Sequence, residues 1–201
     1  MLSEVRALSL SLTQKNSIMK KKKVAVLATD GFEEVELTSP KQAMEKAGFE
    51  VQVVAPESGK IKAWNDGNWS DEYKVDAVVD EISAQDYDGL FLPGGVINPD
   101  KLRIDEGALN FVRDFFEQGK PVGAICHGSW TLINAGVVSG RTMTSYKSIR
   151  KDMENAGVNW VDEEVVVDNG LVTSRNPGDL EAFNKKLIEE IKEGKHEKQH
   201  A

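Results

Sequence analysis

One cysteine and one histidine stand side by side in the run Ala124-Ile125-Cys126-His127-Gly128. Cys126 is the single cysteine of the chain, and the other two histidines, His196 and His200, lie in a charged C-terminal stretch. Ala124 and Gly128 flank the cysteine at two residues' distance. Small residues at that spacing are what a sharp strand-to-helix turn demands around a nucleophile, because the strained backbone needs room. A cysteine at a helix start meets unpaired N–H groups, which favour the thiolate. His127 can act as its base only if the turn brings the ring back to the sulfur and a third group orients it, since adjacent side chains ordinarily diverge. A structural reading competes: cysteine is among the most buried residue types, and the imidazole could simply sit at a helix start. The apolar strand before the pair and the helical run after it favour the nucleophile.

Two other stretches bear on the same chemistry. Leu92-Pro93-Gly94-Gly95 offers consecutive glycine N–H groups after an apolar run, suited to holding the oxyanion of an attacked carbonyl. Neither a GxxxxGK nor a GxGxxG pattern is present, which argues against a phosphate loop. The run GFEEVEL carries Glu33, Glu34 and Glu36. Acids at a helix start ordinarily answer the helix dipole. An acid held near the sulfur would instead share a proton with it, because adjacent negative charges repel. Once protonated, it can donate to the thiolate or move protons on a bound substrate.

These stretches need elements to position them. Lys23–Thr29, Phe49–Pro56, Tyr87–Gly95 and Pro121–Cys126 read as buried strands. Helices are expected over Leu37–Ala47, Glu106–Gly119, a short run closed by Gly136, residues 145–156, and about Leu180–Ile191. Tyr73–Ile82 alternates and reads as a further extended segment, and Asn159–Ser174 as a hairpin turning at Asn169-Gly170. Strands alternating with helices indicate an α/β fold with an open, mainly parallel sheet covered on both faces. Ligands bind such sheets at the carboxyl ends of the strands. Asp30–Glu36, Pro93–Gly95 and Cys126–Gly128 fall at such ends and converge only in this fold.

The bulk properties narrow the function classes. A chain of 201 residues fits one domain with a substantial core. A net charge of −8 argues against nucleic acid or an anionic membrane as a partner. One cysteine excludes an internal disulfide and a cysteine-rich zinc site, and the Cys-His pair with scattered acids lacks ligand spacing, so neither metal nor cofactor is expected. No stretch approaches the roughly 18 apolar residues of a membrane span. Residues 1–20 place Glu4 before the weakly apolar ALSLSL and a basic run, Lys20–Lys23, after it. That order is wrong for a secretion signal, and the segment reads as a disordered extension, with Met19 an alternative start. Residues 194–201 read as a polar tail. The expected folded unit is a single cytoplasmic domain over residues 21–193.

DGFEEVEL, LPGG…NPDKLR and AICHG, in this order and spacing, resemble the ThiJ/PfpI family of the class I glutamine-amidotransferase-like superfamily. The bacterial PfpI-like, stress-protein branch is the most similar. The likeness runs from about Lys22 to Ile191 and takes in TSYKSIRKDMENAG and TSRNPGDL. It implies a flavodoxin-like three-layer α/β/α sandwich with a mainly parallel central sheet, in a homodimer or larger homo-oligomer. It implies Cys126 as the elbow nucleophile, His127 as its adjacent histidine and Glu36 as the acid bonded to the sulfur. Glu33 is then a nearby second carboxyl, and Gly94 and Gly95 form the oxyanion turn. Gly128 and Trp130, next to the pair, complete the expected substrate contacts. In PfpI-like members an acid from the neighbouring subunit completes a Cys-His-acid triad. Asp100 falls at that place, one methylene shorter than the glutamate of the archaeal peptidases. Ser129 stands where a proline is common.

Three functions follow from that resemblance. The first is cofactor-free chemistry on reactive carbonyls, of the glutathione-independent glyoxalase or protein deglycase type, in which Cys126 adds to an aldehyde and Glu36 moves protons. The second is amide hydrolysis of peptide substrates by Cys126, His127 and a partner's acid. The third is non-enzymatic: a redox sensor or chaperone whose exposed, low-pKa thiolate oxidises. Carbonyl chemistry ranks first, since a tight site with a carboxyl at the sulfur suits it and nothing in the sequence suggests a peptide groove.

Overall fold

Short runs of valine, leucine and alanine build the centre of the molecule, because β-branched side chains pack well on a pleated surface. The computed structural model describes residues 21–196, so the expected extension over 1–20 and the tail beyond His196 lie outside the described residues. The first half contains β1 (Lys23–Leu27), β2 (Phe32–Glu33), α1 (Glu34–Lys46), β3 (Glu50–Ala55), β4 (Lys60–Asn65), β5 (Asn68–Lys74), β6 (Ala77–Val78) and β7 (Gly89–Leu92). Then come α2 (Ile97–Leu102), α3 (Glu106–Glu117), β8 (Val122–Ile125) and α4 (Ser129–Ala135). The chain ends with β9 (Thr142–Met143), α5 (Arg150–Asn155), β10 (Asn159–Trp160), β11 (Val165–Asp168), β12 (Leu171–Ser174) and α6 (Leu180–Glu193).

The main sheet has seven strands in the order β11-β12-β8-β7-β1-β3-β6. All neighbours are parallel except β11 on β12. Alternation along each strand sorts its side chains into two cores. Ala25, Leu27, Leu90, Leu92, Val122 and Ala124 pack with Phe111, Phe115 and Leu132 of α3 and α4. Val24, Val26 and Phe91 pack on the other side with Leu37 and Met44 of α1 and with Phe183, Leu187 and Ile191 of α6. The result is the flavodoxin-like three-layer α/β/α arrangement. No helix among the described residues is long and apolar enough to cross a membrane.

Three details differ from the sequence reading. Tyr73–Ile82 is not one extended segment: the Asp76 carboxylate accepts from the Val53 N–H at 3.0 Å, and the chain bends between β5 and β6 there. Residues 145–156 become α-helical only from Arg150, after a 3-10 turn over Lys147–Ile149. Upstream, the Thr144 N–H donates to Thr173 Oγ1 and Ser145 Oγ accepts from the Trp160 indole, so local groups that a helix would use are already committed. Asn159-Trp160 pairs with β9, and the hairpin is confined to β11 and β12. A second hairpin, β4–β5, turns at Asp66-Gly67 with both residues at positive φ (46° and 79°) and joins β2 in a separate three-stranded sheet.

β1, β7 and β8 are adjacent, so Ala28–Gly31, Pro93–Gly95 and Cys126 emerge together at one edge. That edge positions the site.

Candidate active site

Cys126 leaves β8 with φ +60°, in the left-handed region that side chains with a Cβ rarely adopt. This is the strained turn expected from its small neighbours. A Cβ on Gly128 would lie 2.7 Å from the Leu92 carbonyl oxygen, so no larger residue fits the turn's exit. The distortion also resolves the difficulty over His127. Its Nδ1 lies 3.2 Å from the Cys126 sulfur, although the two residues are neighbours. The third group is Ser148, whose Oγ lies 3.1 Å from Nε2. The ring is stacked on Tyr146 (4.9 Å between centroids, 27° between planes) and meets Trp130 edge-on at 5.1 Å. Burial holds the His127 imidazole below its usual range, with Asp152 pulling weakly the other way.

The three acids of GFEEVEL have separate fates. Glu34 accepts hydrogen bonds from Ser70 Oγ and Tyr73 Oη, both at 2.7 Å, and so ties the β4–β5 hairpin to the helix start. Glu33 lines the cavity, its carboxyl raised by burial and then by Glu34 and Asp66. Glu36 is fully buried, with Oε2 accepting from the Gly94 N–H at 3.1 Å. Its Oε1 is buried without a hydrogen bond of ordinary geometry, while the Cys126 thiol acts on the same carboxyl. Burial pushes Glu36 up to about 8; the thiol and the Gly94 N–H oppose the rise, and Glu33 adds to it.

Burial also pushes the Cys126 thiol up, and a charged Glu36 adds to the effect. Backbone N–H groups of His127 and Gly95 point at the sulfur and pull the other way. The exposed, low-pKa thiolate expected from a helix start is therefore not what the fold provides. Desolvation outweighs the N-terminal donors.

The glycine turn differs from expectation in one respect. The Gly94 N–H is committed to Glu36, while the Gly95 N–H acts on both Glu36 and the sulfur and the His127 N–H on the sulfur. Asn98 holds this turn: its Oδ1 accepts from the Thr29 N–H at 2.8 Å and its Nδ2 donates to Pro93 and Gly94 carbonyls. A Cβ on Gly94 would lie 2.6 Å from Cys126 Cβ and clash with Glu36 Oε2. Gly94→Ala is accordingly expected to displace both groups. Thermal unfolding should show a loss of about 1–3 kcal/mol, typical of overpacking, and any turnover should fall more than tenfold.

A cavity of about 550 Å³ opens above these groups. Cys126, His127, Glu36 and Glu33 sit with Ser148 among apolar walls that include Trp64, Ile97 and Tyr146. Trp130 and Gly128 do not line it; Trp130 stands behind His127, its indole N–H donating to Asp152 Oδ2 at 2.8 Å. Asp100 is exposed on α2 and makes no hydrogen bond to His127 within this chain, whose Nε2 meets Ser148 Oγ instead. Among the described residues, the three-ligand grouping with metal-binding spacing is Glu190, Glu193 and His196, none of which lines the cavity.

Sequence reasoning missed Trp64, Tyr146 and Ser148. The Asp66-Gly67 turn between alternating residues signals the hairpin that carries Trp64. Tyr146 and Ser148 lie within TSYKSIRKDMENAG, with no chemical pattern to separate them from a helix.

Comparison with known proteins fits this geometry. The model of the DJ-1/PfpI family matches residues 22–190. The chain belongs to the DJ-1/PfpI family. General stress protein 18 of Bacillus subtilis is 47% identical over 168 residues, covering 83% of this chain and 96% of that protein. Deglycase PfpI of Pyrococcus furiosus is 44% identical over 170 residues, covering 85% and 99%. Among solved structures, Drosophila melanogaster DJ-1beta superposes with a TM-score of 0.77 at 27% identity, covering 86% of this chain and 95% of that one.

Proposed function

We propose that this DJ-1/PfpI protein is a cysteine-dependent, stress-related enzyme that acts on reactive carbonyls without a cofactor. The observation that carries the reading is the pairing of the Cys126 sulfur with a buried Glu36 whose titration is pushed up to about 8, at the base of a largely apolar cavity. A carboxyl poised there exchanges a proton readily near neutral pH, as a proton shuttle must. Relatives named as a deglycase and as a general stress protein support the same class.

The steps balance within the site. The sulfur adds to the aldehyde carbon of a 2-oxoaldehyde while its proton passes through His127 Nδ1 to the new alkoxide, giving a hemithioacetal. The N–H groups of Gly95 and His127 hold the charge that develops on oxygen. The Glu36 carboxylate takes the proton from the first carbon and returns it to the second, oxidising one carbon and reducing the other. Water then cleaves the thioester, releasing a 2-hydroxy acid and restoring the thiol. An amine adduct of the same aldehyde enters at the hemithioacetal, with the amine as leaving group. We place Asp100, exposed near Val96 and Ile104, at a contact with a second copy of the chain rather than in this sequence of steps.

The purified protein is expected to consume methylglyoxal without glutathione and to release an equal amount of lactate. Unchanged methylglyoxal together with cleavage of an unmodified peptide would establish the peptidase reading instead. The raised titration of the Cys126 thiol weighs against the redox-sensor reading, because a sulfur that stays protonated oxidises slowly, whereas in the proposed reaction His127 takes its proton as the sulfur adds.

A further inference from the structure

We infer that Ser148 is the positioning residue for His127, holding the imidazole at Nε2 through a hydroxyl of the same chain. This rests on the role proposed for His127. The aromatic neighbours fix the plane of the ring. Tyr146 stacks on it and Trp130 meets it edge-on, and Trp130 is itself held by the Asp152 carboxylate and by the Arg103 guanidinium 5.0 Å from its ring. The two ring nitrogens fix its rotation within that plane, Nδ1 at the sulfur (3.2 Å) and Nε2 at Ser148 Oγ (3.1 Å).

A hydroxyl at Nε2 has a consequence that a carboxylate would not. It can donate to a bare Nε2 or accept from a protonated one, whereas a carboxylate only accepts. During the proposed cycle Nδ1 receives the thiol proton and gives it up again. Ser148 satisfies Nε2 in the neutral ring of either tautomer and in the imidazolium, by rotation of its O–H alone. The ring therefore changes charge without movement and without leaving a buried nitrogen unpaired.

Other groups face the ring from each packed element. Cys126 lies on its own turn, Asp152 on α5, and Tyr146 on the loop that carries Ser148. Glu33 and Glu36 border the same cavity at the start of α1, and Arg103 lies beyond Trp130. Among these, Ser148 is the group in hydrogen-bonding contact with Nε2.

The test combines kinetics with a readout that needs no substrate. Ser148→Ala should lower kcat about tenfold with KM changed less than twofold, and Ser148→Thr should restore it. Ser148 is exposed on its outer side, so Ser148→Asp can be accommodated. Its carboxylate would hold Nε2–H and raise the His127 midpoint by about one pH unit or more, read by nitrogen-15 NMR with His127→Ala for assignment. Should the wild type turn over neither methylglyoxal nor peptide, the rate of Cys126 alkylation by iodoacetamide replaces kcat, and Ser148→Ala should slow it by the same factor. An unshifted His127 midpoint in Ser148→Asp overturns the assignment, as does a Ser148→Ala variant that keeps the full rate. Failure of threonine to restore the rate overturns it too.

Discussion

Cys126→Ala is expected to lose methylglyoxal turnover by a factor on the order of 10⁴ or more, because no other group in the cavity can form the covalent adduct. Alanine inherits the backbone angle of +60° and loses only the sulfur at the cavity wall, so circular dichroism and the unfolding midpoint should change little. Cys126→Ser should be equally inactive. A hydroxyl in the same buried position holds its proton more tightly than the thiol, which burial already pushes up. A rate in the alanine variant within tenfold of wild type would remove the sulfur from the mechanism. Comparing the two variants separates loss of the nucleophile from loss of shape.

Glu36→Gln should cut turnover by about 10² to 10⁴-fold while making the fold more stable at neutral pH. The amide keeps the acceptor for the Gly94 N–H and presents NH₂ where Oε1 lies, but it cannot carry a proton between carbons. The stability effect follows from linkage. Unfolded, this carboxyl titrates near its ordinary 4.5; folded, it titrates at about 8. Between those values the native state binds more protons than the unfolded state, so wild-type stability falls as pH rises through the window. Below 4.5 both states are protonated and the penalty is absent; above about 8 it is complete, at a few kcal/mol. Urea unfolding at pH 5, 7 and 9 should show a wild-type decline that the glutamine variant lacks. Parallel decline in both proteins would mean that Glu36 does not hold its proton on folding.

Much of this molecule could be read before any coordinates, for reasons that differ from residue to residue. Short continuous apolar runs announced β1 and β8, and the small residues around Cys126 announced a strained turn, because both signals are local to the chain. The meeting of Glu36 with Cys126, 90 positions apart, was legible only through the strand-end rule and the family resemblance. Nothing local separates Glu33, Glu34 and Glu36 by role. Their division among cavity, hairpin and sulfur depends on what packs against each face of α1. Asn98 shows the same limit. It stands in NPDKLR beside Asp100, yet the asparagine is buried in the loop scaffold and the aspartate faces outward. The partner of His127 was beyond local reasoning altogether, since Ser148 meets the ring only after the chain returns from β9.

The stretch from Glu33 to Glu36 lines the cavity, grips the hairpin and presents the acid to the sulfur within a single helical turn. Its spacing is therefore a ruler. One residue inserted or deleted ahead of Glu36 would swing every later side chain by about 100° around the helix axis. Glu36 would then leave the sulfur, even if all the residue types survived. The Asp66-Gly67 hairpin tip has no such constraint. Length variation among descendants of this sequence should accumulate at that tip, while the acidic turn can change in composition but not in length.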